Sequence, residues 1–487
     1  MTTDSLVSLK SPNAVERAEY TPPWANTSIV GIAGSSGSGK TSLALAIVAQ
    51  LNLPWVVILS MDSFYKVLTP DQSACAFRNE FDFDAPEAID FDVLVDRLRD
   101  IKAGRKAEIP IYSFEKHSRL DKTTTIYSPH VLILEGIFAL HDPRVLDMLD
   151  LKIFAEADAD VCLSRRLLRD VEQRGRDIAG CMKQWFRFVK PNFHKYVEPQ
   201  RHVADIIVPR GIENPVAIGM ISDRVRKILE DKSRRHQGEL RRLGQLARAE
   251  GEARGVGRNV VVVERTAQVR GMETLVMDND LSREEFVFYF DRLVGVLVER
   301  AVGLQAFLPS QVETPQRTLF LGLRPAGEIT AVVLLRGGGA LEAGLRRVIP
   351  DCCTGRLLIQ THEETEEPSL HFRKLPPDIG RPRAETAGGS WRDGESSGSI
   401  SSREGEGGLV LLLDSQLKTG GAALMAVRVL VDFGVPEEKI VIVCYEAPRV
   451  GLRRILSVYP NVRAVVVRIV EDGKVTDRWV ERRYFGT

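Results

Sequence analysis

A glycine- and serine-rich stretch carries the strongest chemical signal in the chain. It matches the pattern G-x-x-x-x-G-K-[ST] and reads Gly34-Ser35-Ser36-Gly37-Ser38-Gly39-Lys40-Thr41, followed by Ser42. Glycines at this spacing let backbone N–H groups curve around phosphate oxygens, and a helix N-terminus behind them adds partial positive charge. In such a loop Lys40 lies at the β- and γ-phosphates, and the Thr41 hydroxyl binds Mg²⁺. The pattern therefore indicates a nucleotide-binding P-loop.

Two acidic residues follow apolar runs that are typical of buried strands. Asp62 comes 22 residues after Lys40, and Glu135 directly follows the run 130–134. Ligands bind at the carboxyl ends of strands in an open parallel sheet, so both carboxylates are expected beside the phosphates. Asp62 can accept a proton from an attacking hydroxyl or help to hold Mg²⁺, and Glu135 occupies the metal-binding position after a strand. The alternative for Asp62 is an ordinary aspartate that caps the next turn.

Several arginines cluster downstream, in the segment 165–176. Arg165 and Arg169 share one helical face, and Arg174 and Arg176 follow shortly after them. Guanidinium groups at this place suit a lid that holds a transferring phosphate. A solvated helix face is the alternative, and the P-loop upstream favours the lid.

The elements that must position these residues are visible in the hydrophobic pattern. Short β-branched runs alternate with helical patterns, which predicts a parallel α/β sheet. The runs are Ser28–Ala33, Trp55–Leu59, His130–Leu134, Leu151–Phe154 and Ala204–Val208. The fold class expected here is a P-loop nucleotide-binding parallel sheet.

Length and composition exclude several other classes. A chain of 487 residues exceeds one hydrophobic core. Lys and Arg together number 66, as do Asp and Glu, which argues against a protein that coats a polyanion. The six cysteines form no CxxC pair, so neither a zinc ribbon nor a disulfide scaffold is indicated. No signal peptide and no membrane span are expected.

We expect two α/β domains. The predicted organisation is a disordered lead-in over 1–26, a P-loop domain over 27–230, a basic linker over 231–258, and a second α/β domain over 259–487 that contains a disordered insertion at 384–408. Few apolar residues occur in the insertion, so it cannot pack. The linker could instead bind nucleic acid, but it lacks aromatic residues, and a solvated helix and linker are favoured.

Within 28–230 the motifs resemble the uridine–cytidine kinase family. They are GIAGSSGSGKTS, VVILSMDSFY, FDFDAPEAID, IPIYSFEKHSR, LILEGIFAL, DADVCLSRRLLRDVEQRGRD and FVKPNF. The resemblance implies transfer of the ATP γ-phosphate to the ribose 5′-hydroxyl of uridine or cytidine. It also implies Mg²⁺ and leaves GTP open as an alternative donor.

The resemblance assigns roles residue by residue. Asp62 and Lys40 would be catalytic, Thr41 and Glu135 would hold the metal, and the P-loop residues 34–42 would bind ATP. Glu213 stands where the family usually has Asp near the adenine. The expected substrate contacts are Asp84 and Arg166 for the ribose, Tyr112, Phe114 and His117 for the pyrimidine, and Arg176 and Gln184. Arg169 and Arg174, together with Arg176, match the phosphate-facing lid.

The second half resembles uracil phosphoribosyltransferase. A strand over 410–413 leads to Asp414, Thr419, Gly420 and Gly421 before a helix, which forms a phosphate cradle. Thr361 and His362 replace an Arg-Asp pair of that family, and Thr476 to Arg482 replace a Gly-Asp-Phe-Gly-Asp-like segment that contacts uracil. We therefore expect a folded fusion domain of the phosphoribosyltransferase-like α/β type without its own turnover.

Three functions are consistent with this combination. The preferred one is a cytoplasmic uridine/cytidine kinase of pyrimidine salvage, acting on small-molecule substrates, without nucleic-acid or membrane partners, and assembled as a homo-oligomer. The alternatives are a bifunctional enzyme that also makes UMP from uracil, and a kinase whose second half is a ligand-sensing or oligomerisation module.

Overall fold

The computed structural model describes residues 17–78, 80–172, 175, 177–253, 257–379, 408–474 and 477–486. The chain divides into two compact units. The first is formed by residues 22–236, and the second by the described residues of 1–21 and 237–487. No helix among the described residues is long and apolar enough to cross a membrane. Residues 1–16 of the predicted lead-in, residues 384–407 of the predicted insertion, and Arg174 and Arg176 lie outside the described residues.

The first unit has a five-stranded parallel sheet. The strands of the whole unit are β1 (Ser28–Gly34), β2 (Val56–Ser60), β3 (Ala107–Ser113), β4 (Ser118–Ile126), β5 (Val131–Glu135), β6 (Leu151–Glu156) and β7 (Ile206–Pro209). The sheet order is β2-β5-β1-β6-β7, and β3 and β4 form a separate antiparallel hairpin. The helices are α1 (Lys40–Leu51), α2 (Pro70–Phe77), α3 (Phe91–Lys102), α4 (Pro143–Leu146), α5 (Ala159–Glu172), α6 (Ile178–Gln184), α7 (Lys190–Asn192) and α8 (Pro215–Ala253).

Both faces of this sheet are covered, which explains why its strands are continuous apolar runs. On β1, Ile29 and Ala33 belong to one core, whereas Val30 and Ile32 belong to the core on the opposite face. The five predicted strand runs are confirmed to within two residues at each end. The predicted parallel α/β sheet is therefore confirmed.

The second unit contains a seven-stranded mixed sheet. The strands of the whole unit are β8 (Val260–Val262), β9 (Phe307–Glu313), β10 (Leu319–Pro325), β11 (Thr330–Leu335), β12 (Cys353–Thr361), β13 (Pro368–Lys374), β14 (Val410–Gln416), β15 (Ile440–Pro448) and β16 (Arg463–Val470). The order is β13-β12-β11-β14-β15-β16-β8, with β13 antiparallel to β12, and β9 and β10 form a separate hairpin. The helices are α9 (Ala267–Met277), α10 (Arg283–Val302), α11 (Glu342–Val348), α12 (Gly421–Asp432), α13 (Arg449–Val458) and α14 (Trp479–Phe485).

Two sequence-based boundaries need correction. The lead-in was predicted to be disordered up to residue 26, but Tyr20 and Trp24 are buried, and Trp24 packs edge-on against Tyr127 with ring centroids 5.7 Å apart. In the second unit, the Ala18 amide donates to the Ser457 carbonyl over 3.1 Å. Isolated aromatic residues have no periodicity, so the sequence pattern could not predict that they pack.

The predicted basic linker is also shorter than expected. Helix α8 continues unbroken from Pro215 to Ala253, and the division between the two units falls inside it, between residues 236 and 237. Leu240, Leu243 and Ala247 are buried in the second unit. The arginines of this segment are therefore the polar side of an amphipathic helix that packs.

A histidine at the start of β5 predicts acid sensitivity of the first unit. His130 stacks on Trp55 at 5.3 Å, and desolvation by burial, together with nearby Lys232 and His236, lowers the pKa of His130 to about 3. Between pH 6.5 and about 3 the unfolded chain binds this proton and the folded chain does not, so stability falls as the pH falls. We expect His130→Gln to weaken the pH dependence of the urea midpoint, followed by circular dichroism. His202→Gln, an exposed histidine, is the control, and equal slopes for both variants would contradict the prediction.

Candidate active site

The turn between β1 and α1 has a backbone that only glycine adopts easily. Gly34, Gly37 and Gly39 have φ angles of +148°, +87° and +89°. A Cβ atom would lie 2.3 Å from the Ala155 carbonyl oxygen at Gly34, and 2.2 Å from the Cys162 carbonyl oxygen at Gly37. The glycines therefore provide both the conformation and the close approach of β6 and α5 that shape the loop.

The polar atoms of this loop fit a nucleotide phosphate. Lys40 is buried, and its Nζ donates to the Ser35 carbonyl over 2.8 Å. Burial lowers the pKa of Lys40, while the nearby carboxylates of Glu135 and Asp62 act in the opposite direction. The buried Ser38 hydroxyl has no hydrogen-bond partner among the residues that the structure describes. A phosphate group, rich in acceptor oxygens, would satisfy these donors.

The acidic residues meet the loop in one pocket. Its phosphate end is lined by Ser36, Lys40, Thr41, Asp62 and Glu135. Strands β2 and β5 pair so that Ser60 is the partner of Glu135, and the Ser60 hydroxyl accepts from the Asp62 amide over 3.4 Å. Thr41 and Glu135 are the residues that would hold Mg²⁺, an ion that commonly uses one or two side chains together with phosphates and water. Pairing of neighbouring strands thus brings both carboxylates to the lysine.

A largely buried ion pair is part of the pocket lining. Arg166 of α5 donates from Nη1 to Asp84 Oδ1 over 3.2 Å and from Nη2 to Oδ2 over 3.5 Å. The Asp84 amide donates to Asp82 Oδ1 over 3.0 Å, and the Asn192 side chain donates to both oxygens of Asp82. The loop that carries Asp84 is therefore fixed from two sides, and a carboxylate in this position can accept from vicinal hydroxyls.

Aromatic rings also line the pocket, and several of them were missed in the sequence. The β3–β4 hairpin supplies Tyr112, Phe114 and His117, whose contact with a base stays a prediction. The structure adds further lining residues: Tyr65, Phe81, Phe83, Ile137 and Phe188. Phe83 stacks on His117 with centroids 5.2 Å apart and planes at 20°. The motif FDFDAPEAID carried a signal for Phe81 and Phe83, since two aromatics alternate there with acidic residues.

Arg119 is a positioning residue that the sequence did not reveal. It extends from β4 and donates to the carbonyls of Tyr65 and Phe64 over 2.9 and 3.2 Å, and to Asp90 over 3.2 Å. These bonds tie the aromatic hairpin to the turn that carries Asp62. An arginine on a polar strand gives no sequence signal for this role, because its partners are backbone carbonyls 54 and 55 residues away.

The remaining predicted residues divide into three groups. Gln184, at the end of α6, and Arg169 of α5 line the pocket. Six predicted residues form the loop and the start of α1 but do not line the pocket. They are Gly34, Ser35, Gly37, Ser38, Gly39 and Ser42. Glu213 lies outside the pocket lining, and its exposed carboxylate pairs with Arg165 over 3.1 Å. Its predicted contact with the adenine stays a prediction.

Comparison with known proteins places this geometry in a family. Residues 29–217 match the phosphoribulokinase/uridine kinase family. A uridine-cytidine kinase-like 1 from Mus musculus is 40% identical over 97% of this chain and 83% of the relative. The chain belongs to the uridine kinase family. Uridine kinases from Saccharomyces cerevisiae and Schizosaccharomyces pombe are each 38% identical, covering 96% and 98% of this chain and 89% and 100% of the relatives.

The same comparison identifies the second half of this kinase. Residues 262–478 match the uracil phosphoribosyltransferase family. Asp414 ends the apolar part of β14, and α12 begins at Gly421, immediately after Gly420 with φ +81°. A Cβ at Gly420 would lie 2.5 Å from the Gly451 carbonyl oxygen. Thr419 and Gly420 therefore lie between the end of β14 and the N-terminus of α12, whereas Asp414 lies within β14; the phosphate cradle stays a prediction.

The carboxyl edge of this second sheet is occupied by the chain itself. Arg336 Nε pairs with Glu481 Oε1 of α14 over 3.0 Å, and Gln416 accepts from the Val480 amide over 2.9 Å. Glu446 accepts from Gln416 Nε2 over 2.8 Å and from Trp479 Nε1 over 3.2 Å. Burial raises the pKa of Asp414 to about 6. Arg336 after β11, Gln416 at the end of β14 and Glu446 within β15 thus make hydrogen bonds or ion pairs with α14 or with one another.

The P-loop geometry makes a sharp mutational prediction. Gly37→Ala places a Cβ against the Cys162 carbonyl at a positive φ that costs about 1–2 kcal/mol for other residues, so we expect at least about a tenfold loss of ATP affinity by calorimetry. Gly219→Ala on α8 is the control and should keep its ATP affinity, because an added Cβ there meets no described atom within 4 Å apart from its chain neighbours and the nearby backbone of its own helix. Undiminished ATP binding by the Gly37 variant would show that the loop does not hold the phosphates.

Proposed function

We propose that this kinase transfers the γ-phosphate of ATP to the ribose 5′-hydroxyl of uridine or cytidine, giving UMP or CMP. One observation carries the proposal. A single pocket is lined by the P-loop lysine, two strand-end carboxylates, the Arg166–Asp84 ion pair and several aromatic rings. Relatives that match nearly the whole chain are named uridine kinase or uridine-cytidine kinase, which supports the same acceptor.

The roles proposed for the phosphate end follow from its charges. ATP supplies the phosphoryl group, and Mg²⁺ would neutralise part of the phosphate charge when bound. Lys40 and the loop amides bind the phosphates, and Thr41 and Glu135 would hold the metal. Asp62 accepts the proton of the 5′-hydroxyl as that oxygen bonds to phosphorus and ADP leaves. Arg169 faces the transferring phosphate, and the family resemblance assigns the same role to Arg174 and Arg176, which lie outside the described residues.

The nucleoside end explains the acceptor class. Asp84 and Arg166 bind the ribose hydroxyls, and a 2′-deoxy sugar would lose a hydrogen bond to this charged pair, at a cost of about 1–3 kcal/mol. The base lies among Tyr112, Phe114 and His117. His117 can donate or accept according to its tautomer, so one pocket can take a 4-oxo or a 4-amino pyrimidine. GTP as an alternative donor, cytoplasmic localisation and a homo-oligomeric state stay predictions from the sequence.

We further propose that the second half has no phosphoribosyltransferase turnover of its own. Thr361 and His362 replace an Arg-Asp pair, and the segment that replaces the uracil-contacting loop contributes Trp479 and Glu481 to α14. Glu481 holds Arg336, a cation that would otherwise be available to pyrophosphate. A negative charge at that cation opposes the stabilisation that a departing pyrophosphate needs.

The base assignment is testable by a substitution that removes the charge of Asp62 and keeps the size of its side chain. Asp62→Asn should lower kcat for uridine by about 10²–10⁴-fold, because the proton of the 5′-hydroxyl loses its acceptor. ATP affinity should survive, since the P-loop is untouched. Asp121→Asn, an exposed aspartate on β4, controls for the loss of one negative charge. Turnover of Asp62→Asn equal to that of the control would remove Asp62 from the role of base.

The proposal for the second half is tested with the full chain. Uracil and phosphoribosyl pyrophosphate, supplied with Mg²⁺ and no ATP, should give no UMP above the enzyme-free background in a chromatographic assay. The same preparation must convert uridine and ATP to UMP, which shows that the protein is intact. UMP formed from uracil would instead establish the bifunctional alternative.

A further inference from the structure

Asp170, near the end of α5, is a charged residue that does not line the pocket but contacts two arginines that do. Its side chain is completely buried. Arg169 donates to Asp170 Oδ1 from Nε over 3.1 Å and pairs from Nη2 over 3.0 Å, and Arg166 Nε lies 3.6 Å from Oδ2. One buried carboxylate therefore presents one oxygen to each guanidinium.

Because Asp170 is buried, its negative charge is stable only while the positive charges of its arginine partners are present. A carboxylate removed from water must be compensated by paired and hydrogen-bonded cations, and losing one partner leaves an uncompensated buried charge. Arg166 directs its Nε to Asp170 while Nη1 and Nη2 reach Asp84. The contact with Asp170 is an ion-pair contact without a hydrogen bond, and because the guanidinium is planar, attraction at Nε favours the direction in which the outer nitrogens of Arg166 reach Asp84.

The charges alternate along a chain of four side chains. Asp84, Arg166, Asp170 and Arg169 follow one another, with each adjacent pair in contact. The first pair lies at the proposed ribose end of the pocket, and Arg169 belongs to the proposed phosphate-facing group. A shift of Asp170 would thus move contacts at both ends of the pocket.

We propose that Asp170 is a positioning residue for phosphoryl transfer, which sets the directions of Arg166 and Arg169 and thereby aligns the acceptor nucleoside with the transferring phosphate. This inference rests on the proposed kinase reaction and deepens it. Asp170 itself touches neither substrate. Its effect is transmitted through the two arginines, and small errors of alignment are expensive because reaction rates fall about 10²-fold for a displacement of about 1 Å.

The first experiment compares two aspartates on the same helix. Asp170→Asn keeps the shape and an acceptor oxygen but removes the charge, and Asp160→Asn makes the same change at an exposed position of α5. We expect kcat for uridine to fall by about 10- to 100-fold in the Asp170 variant and to stay at the wild-type value in the Asp160 variant. The loss should fall mainly on kcat, with a smaller change in the KM for ATP.

A double-mutant cycle separates positioning from a merely structural role. If Asp170 acts through Arg169, then Asp170→Asn should cost much less in an Arg169→Gln background than in the wild type. If kcat in the double variant falls by the product of the two single-variant losses, the inference is overturned. An unchanged kcat in Asp170→Asn would overturn it as well. Wild-type protein that fails to phosphorylate uridine and cytidine would instead refute the proposed function itself, so the two failures are distinguishable.

A variant that leaves Asp170 in place covers the case in which Asp170→Asn does not fold. Arg169→Lys retains the positive charge at the pocket but cannot bond Asp170 through a rigid fork while reaching the phosphate. We expect Arg169→Lys to be nearly as slow as Arg169→Gln. Wild-type kcat in Arg169→Lys would show that a positive charge alone suffices and that its fixed direction from Asp170 has no role.

Discussion

The left-handed turn after β1 is the constraint on which the first half of this protein depends. Gly34, Gly37 and Gly39 allow the chain to pass against the carbonyls of Ala155 and Cys162 without side-chain overlap. That passage brings the end of β6 and the start of α5 to the loop. Because the loop backbone approaches β6 and α5 so closely, the lysine, the strand-end acids and the arginines of α5 can line one pocket. The composition of the pocket therefore depends on the conformation of the loop.

Electrostatics inside the pocket follow a consistent rule, in which every buried charge has an opposite neighbour. Lys40 lies near Glu135 and Asp62, and Arg166 lies between Asp84 and Asp170. Paired charges are stable in a low-dielectric interior only with good geometry, so such a network favours one arrangement over many. In the second unit an arginine after a strand also has an opposite charge beside it, since Arg336 pairs with Glu481.

The sequence predicted what depends on local pattern and strand order. Asp62 and Glu135 were expected at one edge because each follows an apolar run, and the β2–β5 pairing explains why that inference worked. Phe188, Arg119 and the burial of Trp24 were missed, since each depends on partners distant in the chain and on no periodic pattern. The pairing of Glu213 with Arg165 was missed for the same reason.

The division of the chain has a consequence for its synthesis. Both cores of the first sheet are complete once residue 229 has been made, so that half can fold while the ribosome is still translating the remainder. The short segment around Arg17 and Ala18 behaves differently, because its partners Val458 and Ser457 are synthesised more than 400 residues later. Among the first described residues to emerge, this segment is therefore among the last to reach its native contacts.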